Sequence, residues 1–158
     1  MILVTLGTND KSFVRLLQEI ESLIEKQVIC DEVVVQAGET AYHSDKMKIV
    51  KLLPMDEMEA LNEKCDLLIT HGGVGSIISG LRHGKRVIAV PRFAKYGEHV
   101  NDHQLQIVRN FNSIGCIIGI EDVTQLQNAL EKAKSFIPQK YESNTKNMIQ
   151  LVKHHIDA

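Results

Sequence analysis

The chain has 158 residues, enough for one domain with a real core, and 44% of them are hydrophobic. Lys plus Arg number 18 against 20 Asp plus Glu, a formal net charge of −2, so the composition offers no surface for nucleic acid. No apolar run approaches the ~20 residues of a membrane span and no signal peptide is legible, which predicts a cytoplasmic protein held at any membrane by something else. Aromatics make up only 4%, so the core must be aliphatic, as suits a parallel sheet covered by helices. Cys30, Cys65 and Cys116 are odd in number, far apart and in apolar surroundings, which predicts reduced core residues.

In chain order, Met1 to Leu6 is an apolar strand running into the small polar turn Gly7-Thr8-Asn9-Asp10. Phe13, Leu16, Leu17, Ile20, Leu23 and Ile24 then recur at helical spacing, with Asp10 or Ser12 positioned to cap. Glu32 to Gly38 is a second strand. Lys48 to Leu52 is a weaker third, which Pro54 stops. Met55 to Lys64 reads as a short helix turning Met58 and Leu61 inward, and Cys65 to Ile69 as a fourth strand of buried type. A helix from Ser76 ends near Gly84, a residue suited to the left-handed position after a helix. Val87 to Val90 is the fifth strand, closed by Pro91, and a loop from Arg92 to Val100 leads to a helix opening at Asn101. Gly115 to Ile118 gives a sixth strand, and Val123 to Ala133 a helix capped by Asp122 or Thr124. A last helix over 139–156 carries Met148, Ile149, Val152 and Ile156 as a packing or partner-docking stripe.

Strands and helices alternate, about six of each, which predicts an α/β doubly wound parallel sheet of Rossmann type in a single domain, 1–158. Right-handed crossovers bring the strand C-terminal ends to one edge, so the loops after the first, fourth and fifth strands converge there. The most telling of these is Thr70-His71-Gly72-Gly73-Val74-Gly75-Ser76, between a strand and a helix. Its glycines allow a sharp turn and close approach of a ligand, and the helix start behind them leaves N–H groups unpaired, an arrangement that binds phosphate. It is not a Walker loop, and as a dinucleotide fingerprint it is imperfect, with Ile78 where the third glycine belongs. Valine at Gly73 or Gly75 is expected to abolish ligand binding with the fold intact. Gly7 and Thr8 share the edge. So does Asn101-Asp102-His103-Gln104, whose side chains can read sugar hydroxyls as well as cap a helix. His99 and His103 are spaced like two metal ligands, but no third converges, so no metal and no other cofactor is expected. His43 and His83 read as surface residues, His154 and His155 as tail, Cys65 and Cys116 as packing, and Lys85-Arg86 as a solvated turn.

These loops, with the stretches from Gly84 to Arg92 and from Glu98 to Gln104, resemble the C-terminal domain of glycosyltransferase family 28, which includes the MurG-like lipid-linked sugar transferases. The resemblance is closer to short stand-alone members: the small subunit of the split dolichol-linked GlcNAc transferase and its bacterial exopolysaccharide counterparts. It implies the C-terminal half of a GT-B fold, the half that binds a UDP-sugar. The acceptor half would then be a separate, membrane-anchored subunit. By position, Gly7, Thr8 and the Gly72–Ser76 loop, Val74 included, would lie near the diphosphate, His71 is read with them as substrate-binding, and Asp102, His103 and Gln104 would face the donor sugar. Many relatives carry a ribose-gripping glutamate where this chain has Ser79, which leaves the ribose contacts unassigned.

The residues agree from their own side. A sugar transferase must deprotonate the attacking hydroxyl, and no carboxylate or histidine is clearly placed to do so, His99 being a weak candidate. There is no Asp-X-Asp metal motif, so leaving-group charge falls on backbone N–H groups, the helix dipole and Ser76. Half an active site implies a partner. The reading is a donor-binding catalytic subunit of a two-chain inverting transferase. It moves a hexose or N-acetylhexosamine from UDP to a lipid-pyrophosphate-linked acceptor at the cytoplasmic membrane face. The alternative is a nucleotide-binding regulatory or scaffold module without chemistry; an NAD-dependent protein is the weakest reading.

Overall fold

The computed structural model describes residues 1–141. The expected docking stripe of Met148, Ile149, Val152 and Ile156, and His154 and His155, lie outside the described residues. Six parallel strands, β1 (Ile2–Thr5), β2 (Val33–Gln36), β3 (Lys48–Val50), β4 (Leu67–His71), β5 (Arg86–Val90) and β6 (Ile118–Gly119), form one sheet in the order β3-β2-β1-β4-β5-β6. Among the described residues the α-helices are α1 (Val14–Glu25), α2 (Met55–Lys64), α3 (Val74–Arg82), α4 (His103–Ser113) and α5 (Leu126–Ala133).

Alternate strand residues serve opposite faces, and that alternation sorts the core into two layers. Ile2 and Val4 of β1, Ile69 of β4 and Ile88 of β5 face Leu16, Leu17 and Ile20 of α1 and Leu126, Ala129 and Ala133 of α5. Leu3, Leu68, Val87 and Ala89 face Ile77 and Leu81 of α3 and Ile107, Val108 and Phe111 of α4. Each Val, Leu, Ile or Phe side chain so buried contributes roughly 1.5–3 kcal/mol, and no large aromatic core is needed.

The helix ends correct several expectations. Neither Asp10 nor Ser12 caps α1; the Phe13 N–H donates instead to Thr40 Oγ1 at 3.0 Å, so the cap comes from the segment after β2. Asp102 does not cap α4 either: its Oδ1 accepts from Ala94 N, while Asn101 Oδ1 accepts from His103 N. Asp122 does cap the turn leading into α5, accepting from Thr124 N, with Gln125 returning the bond to the Asp122 N–H. Cys30 is exposed rather than in the core, whereas Cys65 and Cys116 are buried, and burial raises both thiols above their ordinary range. His83 is not a plain surface residue: its ring bonds the Ser79 carbonyl and reaches Glu59 on α2 at 2.9 Å. Lys85 likewise donates to the Glu63 carbonyl, and Arg86 opens β5.

Gly84 closes α3 with φ +68°, and Lys85 N returns to the Gly80 carbonyl. No atom would touch a Cβ there, so only backbone strain penalises a side chain. Gly84→Ala is therefore expected to destabilise the protein by about 1 kcal/mol, read as a lowered Tm; an unchanged Tm would show that α3 tolerates another ending.

Candidate functional site

β1 and β4 are neighbours whose chains leave in opposite directions, β1 toward β2 and β4 toward β5. That switch point opens a crevice at the C-terminal ends of the strands. Thr5 pairs with Thr70 in register, and the Thr5 hydroxyl donates to Thr70 Oγ1 at 2.7 Å, so the two strand ends are tied where their loops diverge. β4 continues two residues beyond the Ile69 expected as its last, and α3 begins at Val74, not Ser76. Thr70 and His71 are thus strand, and Gly72 and Gly73 alone make the turn.

The compression explains the glycines. A Cβ on Gly72 would stand 2.8 Å from Gln104 Cβ and 2.9 Å from the Gln104 carbonyl oxygen. One on Gly73 would stand 2.4 Å from His71 Cε1, and one on Gly7, which has φ +77°, would stand 2.5 Å from His71 Nε2. The His71 ring thus fills the space between Gly7 and Gly73. Gly73, expected to allow a sharp turn and a ligand's approach, also makes room for His71. Gly75 differs, since a Cβ there meets nothing within 4 Å.

Around this turn the polar side chains are pinned. Gln36 Oε1 accepts from Gly7 N, and Gln36 Nε2 donates to the carbonyls of Gly7 and Lys51 at 2.9 and 3.2 Å. Arg92 is fully buried, donating to the carbonyls of Leu6, Lys11 and Glu98 at 2.6, 2.8 and 3.2 Å, with its guanidinium over the Phe13 ring. Glu98, also buried, accepts both Arg15 Nε and Arg15 Nη2, at 2.7 and 3.1 Å. Gln104 Oε1 accepts from the N–H groups of Gly72 and Arg92, at 3.0 and 3.1 Å.

The expected hydroxyl readers are arranged unevenly. Gln104 is buried with its amide engaged, Asp102 is exposed, and Asn101 and His103 are half-buried. Thr8 is exposed at the rim. Val74, Gly75 and Ser76 form the first turn of α3, where no side chain caps and the N–H groups have no partner inside the helix. Ser76 Oγ is 3.5 Å from His71 Nε2. His99 is partly buried; burial, then the nearby Arg92, holds its pKa below the ordinary histidine value, and its Nδ1 accepts from Asn101 N. Among the described residues, no three His, Cys, Asp or Glu side chains are grouped to hold a metal ion, and no helix is long and apolar enough to cross a membrane.

His71 sets a pH dependence. Burial first, then Arg92, pushes its pKa down to about 3. A folded pKa below the unfolded value of about 6.5 means that stability is full above pH 6.5 and is lost as pH falls toward the folded value. Each pH unit in that window costs up to about 1.4 kcal/mol, so between pH 7 and pH 5 the native chain is expected to lose about 2 kcal/mol. Urea titrations at the two pH values, repeated on His71→Gln, read this directly. An equal loss in the variant would assign it to other groups.

One part of the crevice was not anticipated. A cleft of about 330 Å³ opens between α2 and α3, directly beside Gly75 and Ser76. Met55, Met58, Glu59 and Asn62 of α2 face Ser76 and Ser79 of α3 across it, with Thr5 between. Met58, expected to turn inward, is only half-buried and lines the cleft instead; its place on α2, the helix that follows β3, is the one part of this legible in the sequence. Arg92, Gln36 and Gln104 as a buried frame were also missed; long polar residues at or just after the ends of apolar strands are the mark that could have found Gln36 and Arg92.

The whole chain, residues 1–158, matches the family model described as glycosyltransferase family 28 C-terminal domain. The chain belongs to that family. Over 97 residues it is 30% identical to the UDP-N-acetylglucosamine transferase subunit ALG13 of Candida glabrata, covering 60% of this chain and 47% of that protein. The chain spans about half the length of the curated relatives it matches. The solution structure of an ALG13 aligns with TM-score 0.61 at 18% identity, covering 99% of this chain and 96% of that one. MurG of Acinetobacter baumannii aligns with TM-score 0.55 at 15% identity, covering 96% of this chain and 45% of that one. The family-28 domain thus has the Rossmann-like architecture of one half of a GT-B glycosyltransferase.

Proposed function

We propose that this family-28 domain is the donor-binding, catalytic subunit of a two-chain inverting glycosyltransferase. It takes a hexose or N-acetylhexosamine from UDP and passes it to a lipid-pyrophosphate-linked acceptor in glycan or exopolysaccharide synthesis. The observation that carries this is the α2–α3 cleft opening onto an uncapped helix start. A base and ribose enter the cleft between Met55, Met58 and Ser79, and the diphosphate lies on the N–H groups of Val74, Gly75 and Ser76 near Gly7 and Thr8. The helix dipole and those N–H groups then stabilise the charge that develops on the leaving UDP. No metal is assigned a part. Ser79 is short, and Glu59 on the facing wall is the carboxylate within the cleft that a ribose diol would meet. The donor sugar extends toward Asn101, Asp102 and His103.

The relatives named as N-acetylglucosamine transferase subunits support the two-chain arrangement and favour an N-acetylhexosamine as the sugar. In this reading a membrane-anchored partner brings the acceptor, holds the domain at the cytoplasmic face and supplies the base that His99 is poorly placed to provide. Calorimetry with UDP, UDP-sugars and NAD on the isolated chain tests the donor site; UDP is expected to bind and NAD not. Transfer to a lipid acceptor is expected only when the partner is co-expressed. Full transfer by the chain alone would overturn the split arrangement, and UDP binding without turnover in the reconstituted pair would leave a regulatory nucleotide-binding module.

A further inference from the structure

Which way round the Gln104 amide sits is decided by its neighbours. The N–H groups of Gly72 and Arg92, from two different loops, meet one end of it at 3.0 and 3.1 Å. Both are donors, so that end is the oxygen. The other end is therefore the NH₂, and it lies 3.1 Å from Nδ1 of His71. An amide NH₂ only donates, so Nδ1 accepts and carries no proton. A neutral imidazole then holds its one hydrogen on Nε2. Nε2 is the ring atom in the gap between the two loops: a Cβ on Gly7 would stand 2.5 Å from it, and one on Gly73 2.7 Å.

We propose that Gln104 is a positioning residue that fixes His71 as a neutral Nε2–H donor at the glycine turn. Two backbone N–H groups enforce the setting, so it does not depend on a ligand being present. His71 then has no free lone pair to take a proton from an attacking hydroxyl, and its one exchangeable hydrogen sits on the atom 3.5 Å from Ser76 Oγ. The groups facing the ring are Arg92 and His99 from the segment after β5, Gln104 from α4 and Ser76 from α3. Two of them are basic and none is a carboxylate, so the ring gains no partner for a positive charge. The use of this donor, toward the diphosphate oxygens of UDP, rests on the function proposed above; the tautomer does not.

The test is long-range ¹H–¹⁵N correlation of the imidazole nitrogens in uniformly ¹⁵N-labelled protein. His71 is expected to show the Nε2–H pattern and no titration between about pH 5 and 8. An Nδ1–H pattern, or an ordinary titration near pH 6.5, would overturn the proposal from the wild-type spectrum alone. Gln104→Glu adds a second readout. A carboxylate beside Nδ1 demands a proton there, so in this variant His71 should titrate, and above its pKa the lone pair should face outward on Nε2. UDP affinity in Gln104→Glu is then expected to fall about tenfold as pH rises from 7 to 9, against little change in wild type. An affinity equally flat in both would remove the tautomer from any role in binding. If the Nε2–H pattern is present but UDP shifts no His71 signal, the lock stands and the donor-site reading falls.

Discussion

Arg92→Met should lower the free energy of unfolding by about 4 kcal/mol, within the range for removing one partner of a buried charged set. The guanidinium is the donor for three carbonyls, those of Leu6 and Glu98 in buried bonds and that of Lys11 in a partly buried one. Methionine keeps much of the volume and leaves all three acceptors in place. Each orphaned acceptor costs roughly 1–3 kcal/mol, which outweighs the gain from no longer burying a charge. That burial is itself unfavourable, since desolvation pulls the Arg92 pKa down to about 10 against the attraction of Glu98. The stabilisation comes from the hydrogen bonds, not the ion pair, because Glu98 spends its carboxylate on Arg15 and the Phe93 N–H. Arg92→Lys should recover little, having one nitrogen for carbonyls in three directions. Urea denaturation reads all of this, and a loss below about 1 kcal/mol would mean that water replaces the guanidinium. The same carbonyls precede Gly7 and His99, so the variant should also loosen the turn that Gly7 makes beneath His71.

The fold was open to reading because it rests on period and punctuation. Apolar runs such as Val33–Gln36 and Arg86–Val90, broken by helical spacing and by Pro54 and Pro91, are local signals, and the crossover rule turns their order into a sheet. Gly84 and Asp122 announced their ends because a left-handed residue and a capping box are decided within a few residues. Thr40, by contrast, caps α1 from 27 residues away, and no window around Asp10 or Ser12 contains that fact. The site divides the same way. Gly72, Gly73 and Gly75 stand out in the chain, but Gly73 serves His71 and Gly75 faces open space, a difference made by packing alone. Gln104 looked like a hydroxyl reader because it is polar and at a helix start. Its partners Gly72 and Arg92 are 32 and 12 residues away, and only their meeting in space shows its amide engaged. The α2–α3 cleft is likewise a product of helix placement, which Met55 and Glu59 do not advertise.

The Gly73 turn allows a test that separates room for His71 from room for a ligand. Gly73 has φ −76°, which any residue can adopt, so alanine there brings no backbone strain. Its Cβ would stand 2.4 Å from His71 Cε1 and 2.7 Å from Nε2, and the ring is held on its other side by Gln104. The ring cannot retreat without breaking that bond or striking Gly7. Gly73→Ala should therefore cost about 2 kcal/mol in stability, as overpacking does, and reduce UDP affinity about 100-fold through the displaced ring and turn. In a His71→Ala background the obstruction is gone, and Gly73→Ala should then cost under about 0.5 kcal/mol, leaving a coupling energy of about 1.5 kcal/mol for a pair in contact. UDP affinity separates the two uses of the space. If Gly73→Ala still weakens UDP when His71 is already alanine, the methyl group obstructs the ligand itself. If it does not, the glycine exists for the histidine, and every phosphate contact at this turn depends on where that ring lies. Additive stability losses in the two backgrounds would show that the ring and residue 73 do not share the space, and the crowded turn beneath the cleft would have to be redrawn.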